Sequence, residues 1–228
     1  LSSAASDVYK RQKEYIEIQK YAFRKYKIKT VENKHTHLVP EELEQLERLS
    51  LTDKHMKLQK SLDAFLFCCY AGMRYSDFTN LSKKNIVDIN QETWLIYKSV
   101  KTGTEVRLPL YLLFAGKGIV ILNKYRNNLE DFFRLRDNSN INKDLIIIAK
   151  LAGLSKKISF HTARHTNATL LIYNGVNITT VQKLLGHKSV KTTQVYTNIM
   201  DMTIVHDLEK IKQAALGIKK KTDNSFNK

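Results

Sequence analysis

The sequence has few cysteines and no long apolar run, and each shortage excludes a class of protein. Only two of the 228 residues are cysteines, and Cys68 and Cys69 are adjacent within an apolar stretch. Such a pair is typical of buried thiols in a reducing cytoplasm rather than of a disulfide framework. The apolar runs, such as 145–149, are far shorter than the roughly 20 residues that span a bilayer, so a membrane protein is not expected.

Acidic residues are also scarce relative to basic ones. Lys and Arg number 38 against 22 Asp and Glu, which gives a net charge of +16. A polyanionic partner is the first explanation of such an excess, because binding neutralises phosphates and releases counterions. Charge alone does not distinguish DNA from RNA or from an anionic membrane surface, nor a nucleic-acid-binding protein from an ordinary basic one.

The hydrophobic pattern predicts a mainly α-helical domain with one small antiparallel β-sheet, an α+β fold. A first helix is expected at Pro40, and a second carries an apolar stripe that ends at Gly72. Strands are expected at 86–89, 94–97 and 105–110, with a tight turn at 101–103. Further helices are expected at about 116–127, 140–152, 161–174, 178–185, 189–197 and 201–215.

The chain divides into four segments by composition. Residues 1–12 resemble a non-native tail, and residues 13–37 resemble the end of a helix followed by a basic linker. The folded domain is expected over 38–216. The segment 217–228 is polar and basic, so it is expected to be disordered.

Two arginines stand in settings that suit phosphate binding. Arg74 follows the helix that ends at Gly72, and Asp77 is placed to orient its guanidinium across one helical turn. Arg164 shares a helix face with His161, so both can point at one phosphate beside the helix N-terminus. Arginine suits this task because its planar fork binds two phosphate oxygens and stays protonated. Taken alone, the Arg74–Asp77 pair is more typical of an ordinary surface ion pair.

The spacing of His161 and His165 also allows a zinc hypothesis. Zinc-binding helices with two histidines at i and i+4 carry a catalytic glutamate after the first histidine, and here that residue is Thr162. No third ligand is evident, so no metal and no cofactor are expected. His165 is more typical of a packed, supporting imidazole.

Three further residues complete a possible phosphodiester-cleaving set. Lys101 lies at the tip of the predicted hairpin, where a lysine can donate a proton to a leaving group. His187 follows Gly186, and Tyr196 lies downstream in a polar segment that offers little core for a tyrosine to fill. The tyrosine hydroxyl has an ordinary pKa of about 10. Cationic neighbours would therefore be needed to make it a nucleophile.

These motifs, in this order and spacing, resemble the catalytic domain of the tyrosine recombinase family, the phage-type integrases. The resemblance rests on Ala-Gly-Met-Arg-Tyr-Ser-Asp at 71–77, Lys-Thr-Gly at 101–103, His-Thr-Ala-Arg-His at 161–165, and Leu-Gly-His with the downstream tyrosine. It covers about residues 38–215 and is strongest to integrases of bacterial mobile elements. It implies a bacterial, cytoplasmic enzyme of DNA integration and recombination that is nucleoid-associated when bound to DNA.

The resemblance implies a catalytic residue set with two supporting residues. Tyr196 is implied as the nucleophile that forms a 3′-phosphotyrosyl link, and Lys101 as the proton donor to the 5′-hydroxyl leaving group. The full catalytic set is Arg74, Lys101, His161, Arg164, His187 and Tyr196, and the supporting residues are Asp77 and His165.

The remaining members of the set are implied to hold the scissile phosphate. Arg74 and Arg164 would clamp it, while His161 and His187 would add hydrogen bonds. Asp77 would support Arg74. The implied partner is double-stranded DNA, on which the protein would act as a homotetramer.

Two departures from the family pattern stand out. Asn167 occupies a position where such sequences usually have an aromatic residue, so looser local packing is expected. The family's N-terminal core-binding domain, the other half of a clamp around DNA, is expected to be missing. Two alternative functions stay open: DNA relaxation of the type IB topoisomerase kind, and DNA binding by a regulator without catalysis.

Overall fold

A computed structural model describes residues 36–199 together with Leu208 and Lys212. Within these residues the fold is mainly helical with a three-stranded antiparallel sheet, which confirms the predicted fold class. The segments predicted at 1–12 and 217–228, and most of 13–37 and 201–215, lie outside the described residues. Leu208 and Lys212 are both helical. In the described part of the chain, no helix is both long and apolar enough to cross a bilayer.

The three strands follow one another along the chain, between a first and a second group of helices. The strands are β1 (Ile86–Ile89), β2 (Glu92–Lys98) and β3 (Glu105–Pro109), in that order across the sheet. Five short 3-10 segments cover Asp53–Leu58, Lys83–Asn85, Leu113–Gly116, Val190–Thr192 and Gln194–Ile199. The α-helices are α1 (Pro40–Glu47), α2 (Gln59–Ala71), α3 (Tyr75–Phe78), α4 (Lys117–Lys124), α5 (Leu129–Phe133), α6 (Asn138–Leu151), α7 (Phe160–Tyr173) and α8 (Ile178–Leu185).

The core surrounds α2, from which almost every side chain is buried. Phe67 of this helix meets Phe78 and Phe132 edge to face, with ring centroids 5.9 and 6.2 Å away. Cys68 and Cys69 are fully buried free thiols, and burial raises the pKa of both. Helix α2, which precedes Arg74, is therefore held in place by the hydrophobic core.

The sheet forms a pair of hairpins, and the second one presents the lysine motif. Strand β2 pairs with β3 from Trp94 opposite Pro109 to Lys98 opposite Glu105. The turn between them is closed by the Ser99 amide, which donates to the Thr104 carbonyl at 2.8 Å. This register puts Lys101 at the tip of the hairpin.

One helix prediction was wrong, and another extended too far. The predicted helix at 189–197 is instead two 3-10 segments, because β-branched residues disfavour a helix there and the Thr193 side chain bonds elsewhere. The predicted helix at 116–127 stops at Lys124. A separate helix, α5, follows because Asn128 caps it, its Oδ1 accepting from the Asp131 amide at 3.2 Å.

Candidate active site

Arg164 lies inside the domain and joins three helices. Its side chain is among the largest that are fully buried, with 1% of the residue exposed. Its two terminal nitrogens donate to the carbonyls of Gly72 and Leu185, both at 2.7 Å, at the C-terminal ends of α2 and α8. Within the described residues no carboxylate accepts a hydrogen bond from it. Burial lowers the pKa of Arg164 to about 10, and the nearby positive charge of Arg74 adds to the shift.

Arg74 lies close to Arg164 and is held by a buried carboxylate. Its Nη1 donates to the Ser99 hydroxyl at 3.2 Å and lies 3.4 Å from Asp77 Oδ2. Asp77 is buried, and its Oδ1 also accepts from the Val100 amide at 2.8 Å. The carboxylate therefore fixes both the first arginine and the start of the lysine turn. Ser99 was not singled out from the sequence, since a lone serine after a strand carries no distinctive signal.

Gly72 allows the end of α2 to pack closely against α7 and α8. Its φ is +67°, and a Cβ at this position would lie 2.6 Å from Asn167 Oδ1. Asn167 is buried, and its Nδ2 donates to the carbonyls of Cys69 and Tyr70 at 2.9 and 3.0 Å. The expectation that Asn167 loosens the packing was therefore wrong. Its amide satisfies carbonyls at the end of α2 that have no partner within that helix.

His187 is a buried, neutral imidazole beside the arginines. It follows Gly186, whose φ of +63° ends α8, and its Nδ1 pairs with the Thr193 hydroxyl at 2.9 Å. Burial lowers the pKa of His187 to about 3, and the charges of Arg164 and Arg74 contribute. Thr193 is completely buried. Sequence reasoning missed it because it is one of two adjacent threonines in a polar segment.

Tyr196 is buried next to the same charges. Its ring centroid lies 5.5 Å from that of His165, and its amide donates to the Thr193 carbonyl at 3.1 Å. Only 5% of the residue is exposed, so the expectation that this tyrosine has little core to fill was wrong. Burial raises the pKa of its hydroxyl, while the positive charges of Arg164 and Arg74 oppose that rise.

The two histidines of α7 form an edge-to-face pair. The ring centroids of His161 and His165 are 4.4 Å apart. His165 is buried, whereas His161 is exposed at the start of the helix and lies near enough to His187 to help lower the pKa of that imidazole. Among the residues that the structure describes, no three His, Cys, Asp or Glu side chains are grouped to hold a metal ion.

Lys101 is exposed on a turn that touches the His187 loop. The adjacent Thr102 donates from its hydroxyl to the Gly186 carbonyl at 3.1 Å. Strand β3 also approaches that glycine closely, because a Cβ on Gly186 would lie 2.6 Å from Val106 Cγ2. The lysine turn and the His187 loop thus share one surface.

Tyr97 is another buried phenol near the two arginines, and it was not selected from the sequence. Its hydroxyl has no hydrogen-bond partner within the described part of the chain. Burial raises its pKa, and the nearby charge of Asp77 raises it further.

The structure brings together most of the residues predicted for the site. Two guanidinium groups, a neutral imidazole and a phenol converge, with the two histidines of α7 beside them and the lysine turn adjoining. Such a group can hold an anion with fixed cationic donors and present an oxygen nucleophile to it. The converging residues are Arg74, Asp77, His161, Arg164, His165, His187 and Tyr196.

The sequence is similar to a known protein family and to individual members of it. The model of the phage integrase family matches residues 36–202. A relative described as tyrosine recombinase XerD from Bifidobacterium longum is 50% identical over 171 residues, which cover 68% of this chain and 54% of the relative. The chain spans about half the length of the curated relatives it matches.

Two solved structures share the fold. A crystal structure of XerA recombinase matches with a TM-score of 0.60 and 26% identity, over 77% of this chain and 64% of that one. A lambda integrase tetramer bound to a Holliday junction matches with a TM-score of 0.65 and 19% identity, over 85% and 57%.

Proposed function

The chain belongs to the phage integrase family, and from that premise we propose that it is a site-specific recombinase that cleaves and rejoins double-stranded DNA. The observation that carries the proposal is the buried Arg164 and the partly buried Arg74 beside the buried phenol of Tyr196. The positive charge of Arg74 helps to lower the pKa of Arg164, and an anion that enters between the two guanidinium groups stabilises both charges. A backbone phosphate is such an anion.

The arginines act as a fixed clamp on the scissile phosphate. As phosphorus becomes pentavalent, its non-bridging oxygens gain negative charge, and donors that are already in place stabilise that charge without reorganising. Arg164 is held by two backbone carbonyls and Arg74 by Ser99 and Asp77. Each guanidinium has further N–H groups for phosphate oxygens.

Tyr196 supplies the nucleophile. Its oxygen forms a bond to phosphorus while the phenol proton passes to water, and the bond from phosphorus to the 5′-oxygen breaks. The phosphodiester is exchanged for a phosphotyrosyl ester, so rejoining needs no nucleotide cofactor. The positive charges of Arg164 and Arg74 stabilise the phenolate character that develops on the attacking oxygen.

The remaining groups complete the proton and hydrogen-bond requirements. A neutral His187, with Nδ1 paired to Thr193, keeps its other ring nitrogen for the phosphate. His161 adds a second imidazole from the start of α7. Lys101 gives its proton to the departing 5′-oxygen.

Duplex DNA is the proposed partner, and a tetramer is the proposed active assembly. The net charge of +16 supports a polyanionic partner. The lambda integrase with the same fold is described as a tetramer bound to a Holliday junction. We extend that arrangement to this chain, together with the expectation that 38–216 is its catalytic domain.

A covalent adduct tests the function. The full chain is incubated with a pool of duplexes that have a random central sequence and a nick, so that a short fragment is released once the strand is cut. We expect a protein–DNA adduct that survives a denaturing gel, and sequencing of its DNA defines the cleaved site. Two unnicked duplexes that contain this site and differ in length should then exchange strands.

The matched control separates covalent attachment from tight binding. Tyr196→Phe should bind the same duplexes in a native gel and form no adduct. Absence of an adduct with the wild-type chain, while the duplex is bound, contradicts the proposed function.

A further inference from the structure

Thr102 joins the tip of the β2–β3 hairpin to the loop that carries His187. Its hydroxyl donates to the Gly186 carbonyl at 3.1 Å, across 84 positions of sequence. The same oxygen lies 3.4 Å from the Thr104 amide, inside the turn. One hydroxyl therefore bonds both to the turn and to a different element of the fold.

The opposite side of the turn is anchored as well. The Val100 amide donates to Asp77 Oδ1 at 2.8 Å, and the Ser99 hydroxyl lies 3.3 Å from both oxygens of that carboxylate. Inside the turn, the Gly103 amide donates to the Ser99 carbonyl at 2.8 Å. The turn is thus fixed on one side to Asp77, whose carboxylate contacts Arg74, and on the other side to the loop that carries His187.

Lys101 lies between these two anchors. It is exposed and makes no hydrogen bond or ion pair within the described residues. Neighbouring side chains therefore do not orient its ammonium group. The backbone of the turn alone determines where the Lys101 side chain is attached. The bonds of that backbone to Asp77 and of Thr102 to Gly186 therefore determine which positions the ammonium group can occupy.

We propose that Thr102 is a positioning residue that holds Lys101 where the 5′-oxygen of the cleaved strand departs. The inference rests on the proposed function. When the bond from phosphorus to the 5′-oxygen breaks, its electron pair stays on that oxygen. A proton then moves to the oxygen from the Lys101 ammonium, which becomes a neutral amine. A turn released from Gly186 delivers this proton less often, while binding and nucleophilic attack are unaffected.

The substrate can be changed so that this proton is not needed. Two duplexes carry the sequence recovered from the wild-type adduct, and in one of them sulfur replaces the bridging 5′-oxygen at the cleaved position. A thiol is far more acidic than a sugar hydroxyl, with a pKa of about 8.5, so it leaves as a thiolate. A defect confined to proton donation disappears on the sulfur duplex, whereas a general structural defect persists.

Four variants separate the roles of the turn residues. Thr102→Val removes the hydroxyl and keeps the branched shape, and Thr102→Ser restores the hydroxyl. Thr104→Val is the matched control, because the hydroxyl of this neighbouring threonine makes no hydrogen bond within the part of the chain described here. Lys101→Ala gives the full loss of the proton donor.

Thr102→Val should cleave the oxygen duplex about 10- to 100-fold more slowly than wild type, part of the roughly 100- to 10,000-fold effect of a general acid. Thr102→Ser and Thr104→Val should stay within about threefold of wild type, since both keep the Gly186 bond. On the sulfur duplex, Thr102→Val and Lys101→Ala should both approach the wild-type rate.

The inference alone is overturned if Lys101→Ala shows this loss and rescue but Thr102→Val cleaves like wild type, or is equally slow on both duplexes. If the wild-type chain forms no adduct, or Lys101→Ala cleaves the oxygen duplex normally, the proposed function or its proton donor fails instead, and the inference fails with it.

A second readout needs no DNA. Amide hydrogen exchange in the free protein should quicken at Gly103 and Thr104 in Thr102→Val, with no change in α7. Unchanged exchange at these amides would show that the hydroxyl does not hold the turn, and the positioning role would be rejected.

Discussion

The arginine half of the candidate site, formed by Arg74, Asp77 and Arg164, differs from the tyrosine half, formed by His187, Thr193 and Tyr196, in what holds it. Arg164, near the start of α7, bonds to the ends of α2 and α8, so three helices of the core set its position. The tyrosine half follows α8: His187 comes directly after Gly186, Thr193 lies between two 3-10 segments, and Tyr196 lies in the second of them. There the Thr193 hydroxyl pairs with His187 Nδ1, and the Thr193 carbonyl accepts from the Tyr196 amide.

Under the proposed function, this difference divides the work of the site between the two halves. Charge stabilisation is most effective when the donors are fixed before the reaction, and the arginine half meets that requirement through long-range bonds. The proposed nucleophile, Tyr196, lies on a segment whose hydrogen bonds are mostly local. Changes in the arginine half should therefore affect both folding and chemistry, whereas changes in the tyrosine half should affect chemistry with less cost to the fold.

The largest expected effect comes from Arg164→Lys. A single ammonium does not reproduce the planar fork, so we expect cleavage to fall by roughly 100- to 1,000-fold, as for loss of one preorganised donor. Duplex affinity should stay nearly unchanged. Stability should fall by about 1–3 kcal/mol, because a carbonyl of Gly72 or Leu185 loses its donor. Single-turnover cleavage and urea unfolding measure the two effects.

Arg107→Lys, on the exposed face of β3, is the matched control for that substitution. It should change neither quantity. Cleavage by Arg164→Lys at the wild-type rate would argue against a phosphate clamp and would remove the difference between the two halves.

Alanine substitution at two glycines tests how closely the end of α2 packs against α7 and α8. Gly72→Ala and Gly153→Ala both force alanine into left-handed backbone, at φ of +67° and +74°. Only at Gly72 would the new methyl group clash, with Asn167 and Leu185. We expect Gly153→Ala to cost about 1–2 kcal/mol of unfolding free energy and Gly72→Ala about 1–3 kcal/mol more. Equal losses would show that the approach is not tight.

The pH dependence of stability tests the burial of His187. Its pKa is about 3 in the folded protein against 6.5 ordinarily, so the unfolded chain binds the proton more readily between these values. The stability that comes from a neutral His187 is complete above pH 6.5 and is lost as pH falls towards 3. In urea unfolding at several pH values, His187→Gln should lose less stability over this range than wild type. Parallel curves would contradict a buried, neutral imidazole.

The smallest expected effect is that of Tyr97→Phe. The Tyr97 hydroxyl is buried and has no partner within the described chain, so its removal breaks no hydrogen bond. Stability should change by less than about 0.5 kcal/mol or rise slightly, and cleavage should match wild type. A large loss of cleavage would show that Tyr97 contributes to cleavage together with the arginine half.

The sequence was most informative about the arginine half. Strong helix periodicity ending at a glycine predicted α2 and its exit at Gly72, and α8 begins and ends where it was predicted. Asp77 was expected to orient Arg74 from its spacing alone, and it lies 3.4 Å from that guanidinium. Such signals are local and repeat with the helix period, so they can be read from one chain.

What the sequence could not provide depends on contacts between distant segments. Asn167 looked like a packing fault, yet it bonds to carbonyls 97 and 98 positions away. The hydroxyls of Ser99 and Thr193 bond to Arg74 and His187, and these two residues belong to no periodic pattern. The segment at 189–197 was predicted as a helix from its residue pattern, but its β-branched residues and the bond to His187 favour 3-10 segments.

The central claim is that Tyr196 alone attacks a phosphate held by the arginine half, and mapping the adduct tests it most directly. Of the 11 tyrosines in the chain, tryptic cleavage at Lys191 and Lys210 isolates Tyr196 in a peptide with no other tyrosine. Mass spectrometry of the nuclease-trimmed adduct should find the nucleotide on this peptide and nowhere else. Attachment to a different tyrosine, or an undiminished adduct in Tyr196→Phe, would contradict the account.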